Sequence, residues 1–284
     1  MFRQTFDFLR VGLLPFDRDA RPLYALLGPE NLPGEQSRYI NLGFWRDSGL
    51  RSFDEGAAAL ADLLADKAEL AGARSVLDVG FGYGDQLLRW LDTVAPERLV
   101  GVNITASQVH HARALLAGHP LGRRVELVLA SACRLPVAEG SMDRVIALES
   151  AFHFSPRTDF FAEAFRALAP GGVLGTADIL IMPGVQVGWP FTSAWRIPDA
   201  NVHDRETYAR NLRAVGFEDV KVESIREHVF EPLLERLAVR LDDPDVVARM
   251  NPLLRLVCKP GPLTRRLLQR FDYVVATARK PQSS

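Results

Sequence analysis

Three alternating glycines follow a short apolar run that ends at residue 79. The stretch reads VLDVGFGYGD over residues 76–85, with Asp78 inside the run and Gly80, Gly82 and Gly84 after it. Glycine lacks a Cβ atom and permits positive φ, so this turn would let a ligand lie against bare backbone. A buried carboxylate beside the turn would repel a phosphate but attract a cation, such as the ammonium group of an amino acid. The spacing GxGxG also differs from the GxGxxG of dinucleotide sites, which disfavours a nicotinamide cofactor.

Three further side chains are candidates for proton transfer or charge stabilisation. His153 follows an apolar run at 143–150, and an imidazole can act as a base near neutral pH. Asp178 lies near the end of another apolar run and would either orient that imidazole, giving a catalytic His–Asp pair, or cap a loop. Glu149 would either polarise a substrate or hold the loop that follows its strand. No histidines or cysteines have the spacing of a metal site, so no metal is predicted.

These residues are placed by an alternation of apolar strands and helices. Strands are predicted at 74–80, 98–104, 124–130, 143–150, 173–180, 217–225 and 271–279. Helices are predicted at 85–92, 106–117, 157–169 and 204–215, and the sequence SFDE at 52–55 predicts the capping box of an earlier helix. This alternation predicts an α/β fold with a Rossmann-like, doubly wound, mostly parallel sheet, in which ligands bind at the carboxyl ends of the strands.

Composition and charge narrow the class of partner. The chain has 284 residues, of which 48% are hydrophobic, with 34 Lys and Arg against 35 Asp and Glu. This balance disfavours nucleic acid as a partner and favours a small molecule. Two cysteines give no disulfide framework, so a reducing, cytoplasmic location is expected. No apolar run is long enough for stable insertion into a membrane.

Four segments in order resemble the motifs of the class I S-adenosylmethionine-dependent methyltransferases, and the resemblance runs from about residue 74 to 279. They are VLDVGFGYGD, ASACRLPV at 130–137, SMDRVIALESAFHF at 141–154 and RALAPGG at 166–172. The resemblance implies a seven-stranded sheet with an antiparallel last strand, and S-adenosylmethionine as the cofactor. YINLGFW at 39–45 and the SAFH segment further resemble the small-molecule methyltransferases of the sugar, polyketide, tocopherol and sterol type.

The same resemblance implies which residues hold the cofactor. Asn103 stands where the family has an acidic residue for the ribose hydroxyls, and Ser131 stands where an Asp meets the adenine amino group. The N-terminal segment of such enzymes folds over the cofactor, so Tyr39, Asn41 and Trp45 are candidates for closing the site. The implied cofactor site comprises Asp78, Gly80, Gly82, Gly84, Asn103, Ile104, Ser131, Ala132, Cys133, Glu149 and Tyr39.

The chain divides into four predicted parts. Residues 1–71 are expected to form an N-terminal helical lid, and 72–180 the cofactor-binding core. Residues 181–203 are expected to be a substrate lid, and 204–284 to complete the core and carry a helical cap at about 228–268. Aromatic residues of the substrate lid would give an apolar wall for a hydrophobic or aromatic acceptor: Trp189, Phe191 and Trp195. An N-terminal apolar stripe would either pack as a lid or lie on a membrane surface: Phe2, Phe6, Leu9 and Leu13.

The function that follows is methyl transfer to a hydroxyl of a hydrophobic, natural-product-type small molecule. His153, oriented by Asp178, would remove the hydroxyl proton during an in-line displacement. Three alternatives stay open: a C-methyltransferase acting on an alkene or prenyl chain, an N-methyltransferase, which needs little base, and a noncatalytic cofactor-binding partner protein. Replacing His153 with Gln distinguishes O-methylation from C-methylation, because attack by a hydroxyl needs the base and attack by an alkene does not. The sequence also leaves open whether the chain forms a homodimer.

Overall fold

The structure is a computed structural model that describes residues 24, 28–46, 49, 52–187 and 195–282. The predicted N-terminal stripe lies outside the described residues, and so do Trp189 and Phe191 of the predicted substrate lid. Within the described part, no helix is long and apolar enough to cross a membrane.

A seven-stranded sheet forms the centre of the molecule. Its strands are β1 (Ser75–Val79), β2 (Arg98–Asn103), β3 (Val125–Leu129), β4 (Met142–Leu148), β5 (Leu168–Ile181), β6 (Glu218–Ser224) and β7 (Phe271–Arg279). The spatial order is β3-β2-β1-β4-β5-β7-β6. The first five strands pair in parallel, whereas β7 runs antiparallel to both of its neighbours. The predicted mostly parallel sheet with an antiparallel last strand is therefore confirmed.

Helices cover both faces of the sheet. They are α1 (Phe53–Lys67), α2 (Asp85–Thr93), α3 (Ala106–Ala117), α4 (Arg157–Ala167), α5 (Arg205–Val215), α6 (Phe230–Arg240), α7 (Pro244–Arg249), α8 (Pro252–Cys258) and α9 (Pro262–Leu268). The capping box predicted at Ser52 is present, because Ser52 accepts from the Glu55 N–H while the Glu55 side chain accepts from the Ser52 N–H. Helices α6 to α9 fill the connection between β6 and β7.

Two hydrophobic clusters separate the faces. On one face Leu64 of α1 and Trp90 of α2 pack in the same cluster as Val76 of β1. On the other, Phe160 of α4 and Tyr208 of α5 share a cluster with Leu77. Successive residues of a strand point to opposite faces, so β1 contributes to both clusters and is buried on both sides. The carboxyl ends of β1, β2 and β4 are thereby fixed against one another.

One predicted boundary is wrong. Helix α4 ends at Ala167, not at residue 169, because Leu168 is fully buried and already pairs with Met142 as the first residue of β5. The register then shifts, so that Val173 pairs with Arg144. The Pro170–Gly172 stretch of the RALAPGG segment is therefore an irregularity within one long strand. Gly171, with φ of +75°, allows the backbone to bend there.

Side chains from the C-terminal helices hold the N-terminal segment 28–46. Arg249 Nη1 donates to the carbonyl oxygens of Glu30 and Leu32, each at 2.7 Å. Arg240 Nε donates to the Pro33 oxygen at 2.9 Å. At the start of α1, the Asp54 carboxylate accepts from backbone N–H groups of residues 35–37. Because the segment lacks a β-ladder of its own, these bonds set its path across the molecule.

We predict that Gly80→Ala is destabilising for a steric reason in addition to a conformational one. A Cβ at Gly80 would lie 2.4 Å from the Ser150 Cβ, whereas a Cβ at Gly140 would meet nothing within 4 Å. Both residues have positive φ, so Gly140→Ala isolates the left-handed penalty of about 1–2 kcal/mol. The Gly80 variant should lose a further ~1–3 kcal/mol from overpacking. Urea unfolding followed by circular dichroism measures both losses, and equal losses would contradict the steric argument.

Candidate active site

A cavity of about 530 Å³ lies at the carboxyl ends of β1, β2 and β4. Its floor is the glycine turn after β1, and residues 38–41 of the N-terminal segment form part of its wall. Ligand cavities in proteins usually measure about 300–1,000 Å³, so this one can hold a cofactor-sized molecule. Its position is the one that the parallel sheet predicted.

The glycine turn has two separate functions. Gly80 and Gly82 line the cavity with φ of +87° and +57°. Gly84 does not line it; this residue caps α2 with φ of +105°, and a Cβ there would lie 2.9 Å from the Ala112 Cβ of α3. Two glycines therefore keep the cavity floor open, while the third lets two helices approach each other. The family resemblance implied that all three glycines contact the cofactor, whereas only Gly80 and Gly82 line the cavity.

Asp78 lies behind the cavity wall instead of in it. Its side chain is fully buried, and both carboxylate oxygens accept from Gln86 Nε2, at 3.0 and 2.9 Å. Gln86, on α2, does line the cavity. Burial raises the pKa of Asp78 to about 8, and the hydrogen bond from Gln86 partly opposes that rise. Asp78 is thus separated from the cavity by the Gln86 amide, and its contact with the cofactor stays a prediction.

Asn103 ends β2 and lines the cavity, but its amide is occupied by protein partners. Its Nδ2 donates to Gly82 O at 3.3 Å and to Gln108 Oε1 at 2.9 Å, and its Oδ1 accepts from Thr105 N at 2.9 Å. Gln108 also lines the cavity, and its buried Nε2 has no hydrogen-bond partner within the described residues. An unpaired buried donor is costly, so this amide is suited to a ligand oxygen.

The predicted adenine-side residues also line the cavity: Ile104, Ser131, Ala132 and Cys133. The Ser131 hydroxyl accepts from Cys133 N at 3.2 Å, which tightens the loop after β3. Ile104 is 48% exposed, an unusual degree for an isoleucine, and its apolar side chain could cover one face of a flat ring.

The N-terminal segment reaches the cavity through Tyr39 and Asn41, as predicted, but not through Trp45. The Tyr39 hydroxyl donates to Asp85 O at 3.4 Å, and Asn41 Nδ2 donates to Ala57 O at 3.3 Å. Trp45 is only 5% exposed and packs edge-on against Phe53, so it belongs to the hydrophobic interior. Within the YINLGFW segment, Tyr39 thus lines the cavity, whereas Trp45 packs in the hydrophobic interior.

Glu149 joins this segment to the sheet. Its Oε2 accepts from Leu42 N at 2.8 Å and from the Tyr273 hydroxyl at 2.5 Å. Burial raises its pKa to about 8, partly opposed by those two donors. Its backbone has φ of +52°, a strained value for a non-glycine residue of a kind that clusters at functional sites. Of the two predicted roles, the hydrogen bonds favour holding the loop.

His153 lies in a 3-10 turn, Ala151–His153, and lines the cavity. Its Nδ1 is 3.2 Å from Arg196 O, and because a carbonyl can only accept, Nδ1 carries the proton. Its Nε2 therefore accepts, and the Tyr24 hydroxyl donates to it at 2.8 Å. Burial lowers the pKa of His153 to about 4, so the ring is neutral near pH 7. A neutral imidazole with its acceptor nitrogen in a cavity can remove a proton.

The predicted His–Asp hydrogen bond is not formed. Asp178 is fully buried on β5, where its Oδ2 lies 3.2 Å from Arg157 Nε and its Oδ1 accepts from Ile179 N. Both ring nitrogens of His153 have other partners, Arg196 O and the Tyr24 hydroxyl. Asp178 does not line the cavity, so it has no direct contact with a reacting group. Sequence reasoning could place both residues at one edge of the sheet but could not fix their separation.

Three functional side chains were missed by sequence analysis. Gln86 and Gln108 follow the glycine turn and Asn103 within the first turns of α2 and α3, and a polar residue facing inward at such a place is a usable signal. Both are buried on otherwise apolar helix faces. Nothing in the sequence around Tyr24 indicated its contact with His153, because 129 residues separate the two.

The lining fits S-adenosylmethionine. Gly80 and Gly82 present bare backbone at the cavity floor, and the Gln108 amide offers a donor that has no partner within the described residues. The described residues contain no group of three or more His, Cys, Asp or Glu side chains that could hold a metal ion. The residues that would hold the cofactor are those at the ends of β1, β2 and β3, with Tyr39 above them.

Comparison with known proteins identifies relatives over nearly the whole chain. A family model described as a methyltransferase domain matches residues 77–176. Erythromycin 3''-O-methyltransferase of Saccharopolyspora erythraea is 38% identical, over 92% of this chain and 90% of that protein. The 27-O-demethylrifamycin SV methyltransferase of Amycolatopsis mediterranei is 28% identical, over 85% of this chain and 90% of that protein.

Solved structures with the same fold include enzymes of differing chemistry. The [4+2]-cyclase SpnF is 25% identical with a TM-score of 0.71, covering 99% of this chain and 95% of its own. The cyclopropane synthase MmaA2 of Mycobacterium tuberculosis has a TM-score of 0.78 at 18% identity, covering 94% of this chain and 99% of its own. The close sequence relative and the shared fold lead to one conclusion. The chain belongs to the class I S-adenosylmethionine-dependent methyltransferases, in the group that methylates small molecules.

Proposed function

We propose that this methyltransferase acts on a hydroxyl group of a hydrophobic natural product, with His153 as the base. One observation carries the proposal: the unprotonated Nε2 of a buried, neutral imidazole lies in the cavity and already accepts a hydrogen bond from a hydroxyl, that of Tyr24. An acceptor hydroxyl at that place would meet the same lone pair. S-adenosylmethionine supplies a methyl group on a positively charged sulfur, which needs no further activation.

The lowered pKa of His153 suits this chemistry. A free hydroxyl is far too weak an acid for a base whose conjugate acid has a pKa of about 4. As the acceptor oxygen forms its bond to the methyl carbon, however, it gains positive charge and its proton becomes strongly acidic. Nε2 can therefore take that proton during the displacement, and Nδ1 stays protonated on Arg196 O.

The acceptor class is proposed from relatives and from the cavity lining. Two relatives are named for O-methylation of erythromycin and of a rifamycin, both natural products. The cavity that His153 lines also contains apolar side chains on which an acceptor could pack, among them Ile40, Phe154 and Pro198. Such a lining favours a hydrophobic acceptor that presents one hydroxyl to the base.

The rival reaction, C-methylation of an alkene, is less well supported. It would require Glu149 to stabilise a carbocation, yet burial raises the pKa of Glu149 to about 8, so that its carboxyl is mostly neutral at pH 7. The same carboxyl is engaged by Leu42 N and the Tyr273 hydroxyl. Both features suit a structural link more than a charge stabiliser.

The first prediction is that Asp78 and Gln86 form one unit in cofactor binding. Asp78→Ala and Gln86→Leu should each weaken binding of S-adenosylhomocysteine about 10–100-fold, as expected for a lost hydrogen bond to a charged group. The double variant should be no weaker than either single one, because Asp78 acts through Gln86. Titration calorimetry measures all three. Asp143→Ala is the matched control, since that carboxylate accepts from Arg74 N and Ser75 N at the start of β1. Additive losses would show that Asp78 contacts the cofactor independently.

The second prediction concerns His153 and pH. His153→Gln should lower kcat by about 10²–10⁴-fold, the usual contribution of a general base, without weakening cofactor binding. The base is active when deprotonated, so the wild type should lose kcat only as pH falls towards about 4. An ordinary histidine, with a pKa near 6.5, would keep only about a tenth of its base form at pH 5.5.

These rates can be measured by mass spectrometry with an acceptor panel that includes 27-O-demethylrifamycin SV and an erythromycin analogue without its 3''-O-methyl group. Full activity of the Gln variant would exclude His153 as the base. Substrate turnover without methylation would favour a reaction such as that of the structurally similar cyclase.

The third prediction is that the Tyr24 hydroxyl occupies the place of the acceptor hydroxyl at His153 Nε2. It occupies the lone pair of His153 Nε2 that an acceptor hydroxyl needs, and the two rings are nearly perpendicular with centroids 5.3 Å apart. Tyr24→Phe removes the competing donor, so kcat should stay within about threefold while KM for the acceptor falls. Steady-state kinetics on the same panel decide the matter. A loss of kcat as large as that of His153→Gln would instead make Tyr24 an obligatory proton carrier.

A further inference from the structure

Arg157 and Asp178 form an ion pair that is removed entirely from water. Arg157 is the first residue of α4, Asp178 lies on β5, and both side chains are 0% exposed with Nε and Oδ2 3.2 Å apart. The Arg157 guanidinium also lies over the Tyr208 ring, 5.2 Å from its centroid. A buried ion pair loses much of its attraction to desolvation and is weak evidence for stability, so its contacts need another explanation.

The pair and Asn201 grip the turn that carries His153. Arg157 Nε donates to Ala151 O at 3.3 Å, the first residue of that turn. Asn201 Nδ2 donates to Phe152 O at 3.1 Å and also to Phe154 O. The backbone N–H of Phe152 in turn lowers the pKa of Asp178, against the larger effect of burial. Backbone groups on both sides of His153 are thus bonded to these three side chains.

The same side chains fix the segment that bears the partner of His153 Nδ1. Arg157 N donates to Asn201 Oδ1 at 2.8 Å, and Arg157 Nη1 to Asn201 O at 3.3 Å. Asn201 follows Arg196 by five residues, and Arg196 O is the acceptor for Nδ1. Arg196 has φ of +52°, a value that an unsupported arginine rarely adopts.

We infer that Arg157, Asp178 and Asn201, here called the Arg157 cluster, position His153 and select its tautomer by joining its turn to the segment of Arg196. The inference rests on the proposed role of His153 as the base. It gives Asp178 a positioning role that is exerted through Arg157 instead of through the imidazole.

The tautomer decides whether the ring can work as a base. With the proton on Nδ1, the lone pair of Nε2 faces the cavity. The other tautomer would present an N–H there and could not accept a proton from the acceptor. If Arg196 O moves away from Nδ1, the two tautomers become similar in energy. A smaller fraction of the molecules then presents the Nε2 lone pair to the cavity. The positioning residues therefore affect kcat more than acceptor binding.

Charged groups near His153 also affect its pKa. The groups that face it are Tyr24, Arg157 and Arg196. Burial lowers the pKa of His153 most, the hydrogen bond to the Arg196 carbonyl raises it, and the positive charges of Arg157 and Arg196 lower it. The negative charge of Asp178 lies against Arg157 and offsets that cation. A neutral residue at position 178 should therefore lower the pKa of His153 further, moving any acidic loss of activity to lower pH, while the tautomer becomes mixed.

The test uses two isosteric variants of the full chain. Asn201→Asp keeps the acceptor for Arg157 N but removes the donor to Phe152 O and Phe154 O, and Asp178→Asn removes the anion. The matched control is Asp272→Asn, because Asp272 is also fully buried and ion-paired, with Arg205 at 2.9 Å, but none of its hydrogen bonds reaches the His153 turn.

The decisive readout is the pair of ¹⁵N chemical shifts of the His153 ring in ¹⁵N-histidine-labelled protein, assigned with His153→Gln. We expect the wild type to be the Nδ1–H tautomer and both variants to be mixtures. Their kcat should fall about 10–100-fold, with KM and S-adenosylhomocysteine affinity within about threefold of the wild type. The control should match the wild type in tautomer and in kcat.

Three results would overturn the inference: a wild-type ring protonated at Nε2, an unchanged tautomer in both folded variants, or an equal effect of the control. The wild-type spectrum decides even if a variant fails to fold. Failure of the proposed function gives a different result from failure of this inference. If His153 is not the base, His153→Gln keeps its kcat, while the cluster variants still change the tautomer.

Discussion

Removal from water sets the protonation of three buried ionisable groups at the site. Burial is the largest influence on Asp78, Glu149 and His153, raising the pKa of each carboxyl to about 8 and lowering that of the imidazole to about 4. Each shift favours the uncharged form, because charge is poorly solvated in the protein interior. Near pH 7 these three groups are therefore mostly uncharged, so none of them opposes or neutralises the charge that a cationic ligand brings.

This neutrality is compatible with the reaction that the family carries out. Methyl transfer from a sulfonium starts with positive charge on one reactant and ends with a proton to be removed. A site of neutral, pre-oriented dipoles, such as the Gln86 and Gln108 amides and the His153 lone pair, can follow that movement of charge without reorganising water. The orientation of each dipole is set by a hydrogen-bond partner in the protein, namely Asp78, Asn103 and Arg196 O.

The sequence was enough for much of the fold and for one side of the site. Apolar periodicity located all seven strands, and the glycine turn located the cavity floor, because both depend on local residues and their order along the chain. The partners of polar side chains were harder to foresee. Asp178 and His153 do lie at one edge of the sheet, yet Asp178 pairs with the Arg157 guanidinium, and His153 bonds to Arg196 O and the Tyr24 hydroxyl. Tyr24 could not be anticipated, because only the folded chain brings it to His153.

The hydrogen bonds from Arg240 and Arg249 to segment 30–34 join residues that are more than 200 positions apart. Such contacts close very long loops, and loop closure is slow and entropically unfavourable before other contacts exist. The bonds of segment 30–34 can therefore form only after residues 240–249 have been synthesised. Until then a nascent chain can form the parallel part of its sheet and the bonds of residues 35–42 to Asp54 and Glu149, but segment 30–34 has no C-terminal helices to hold it.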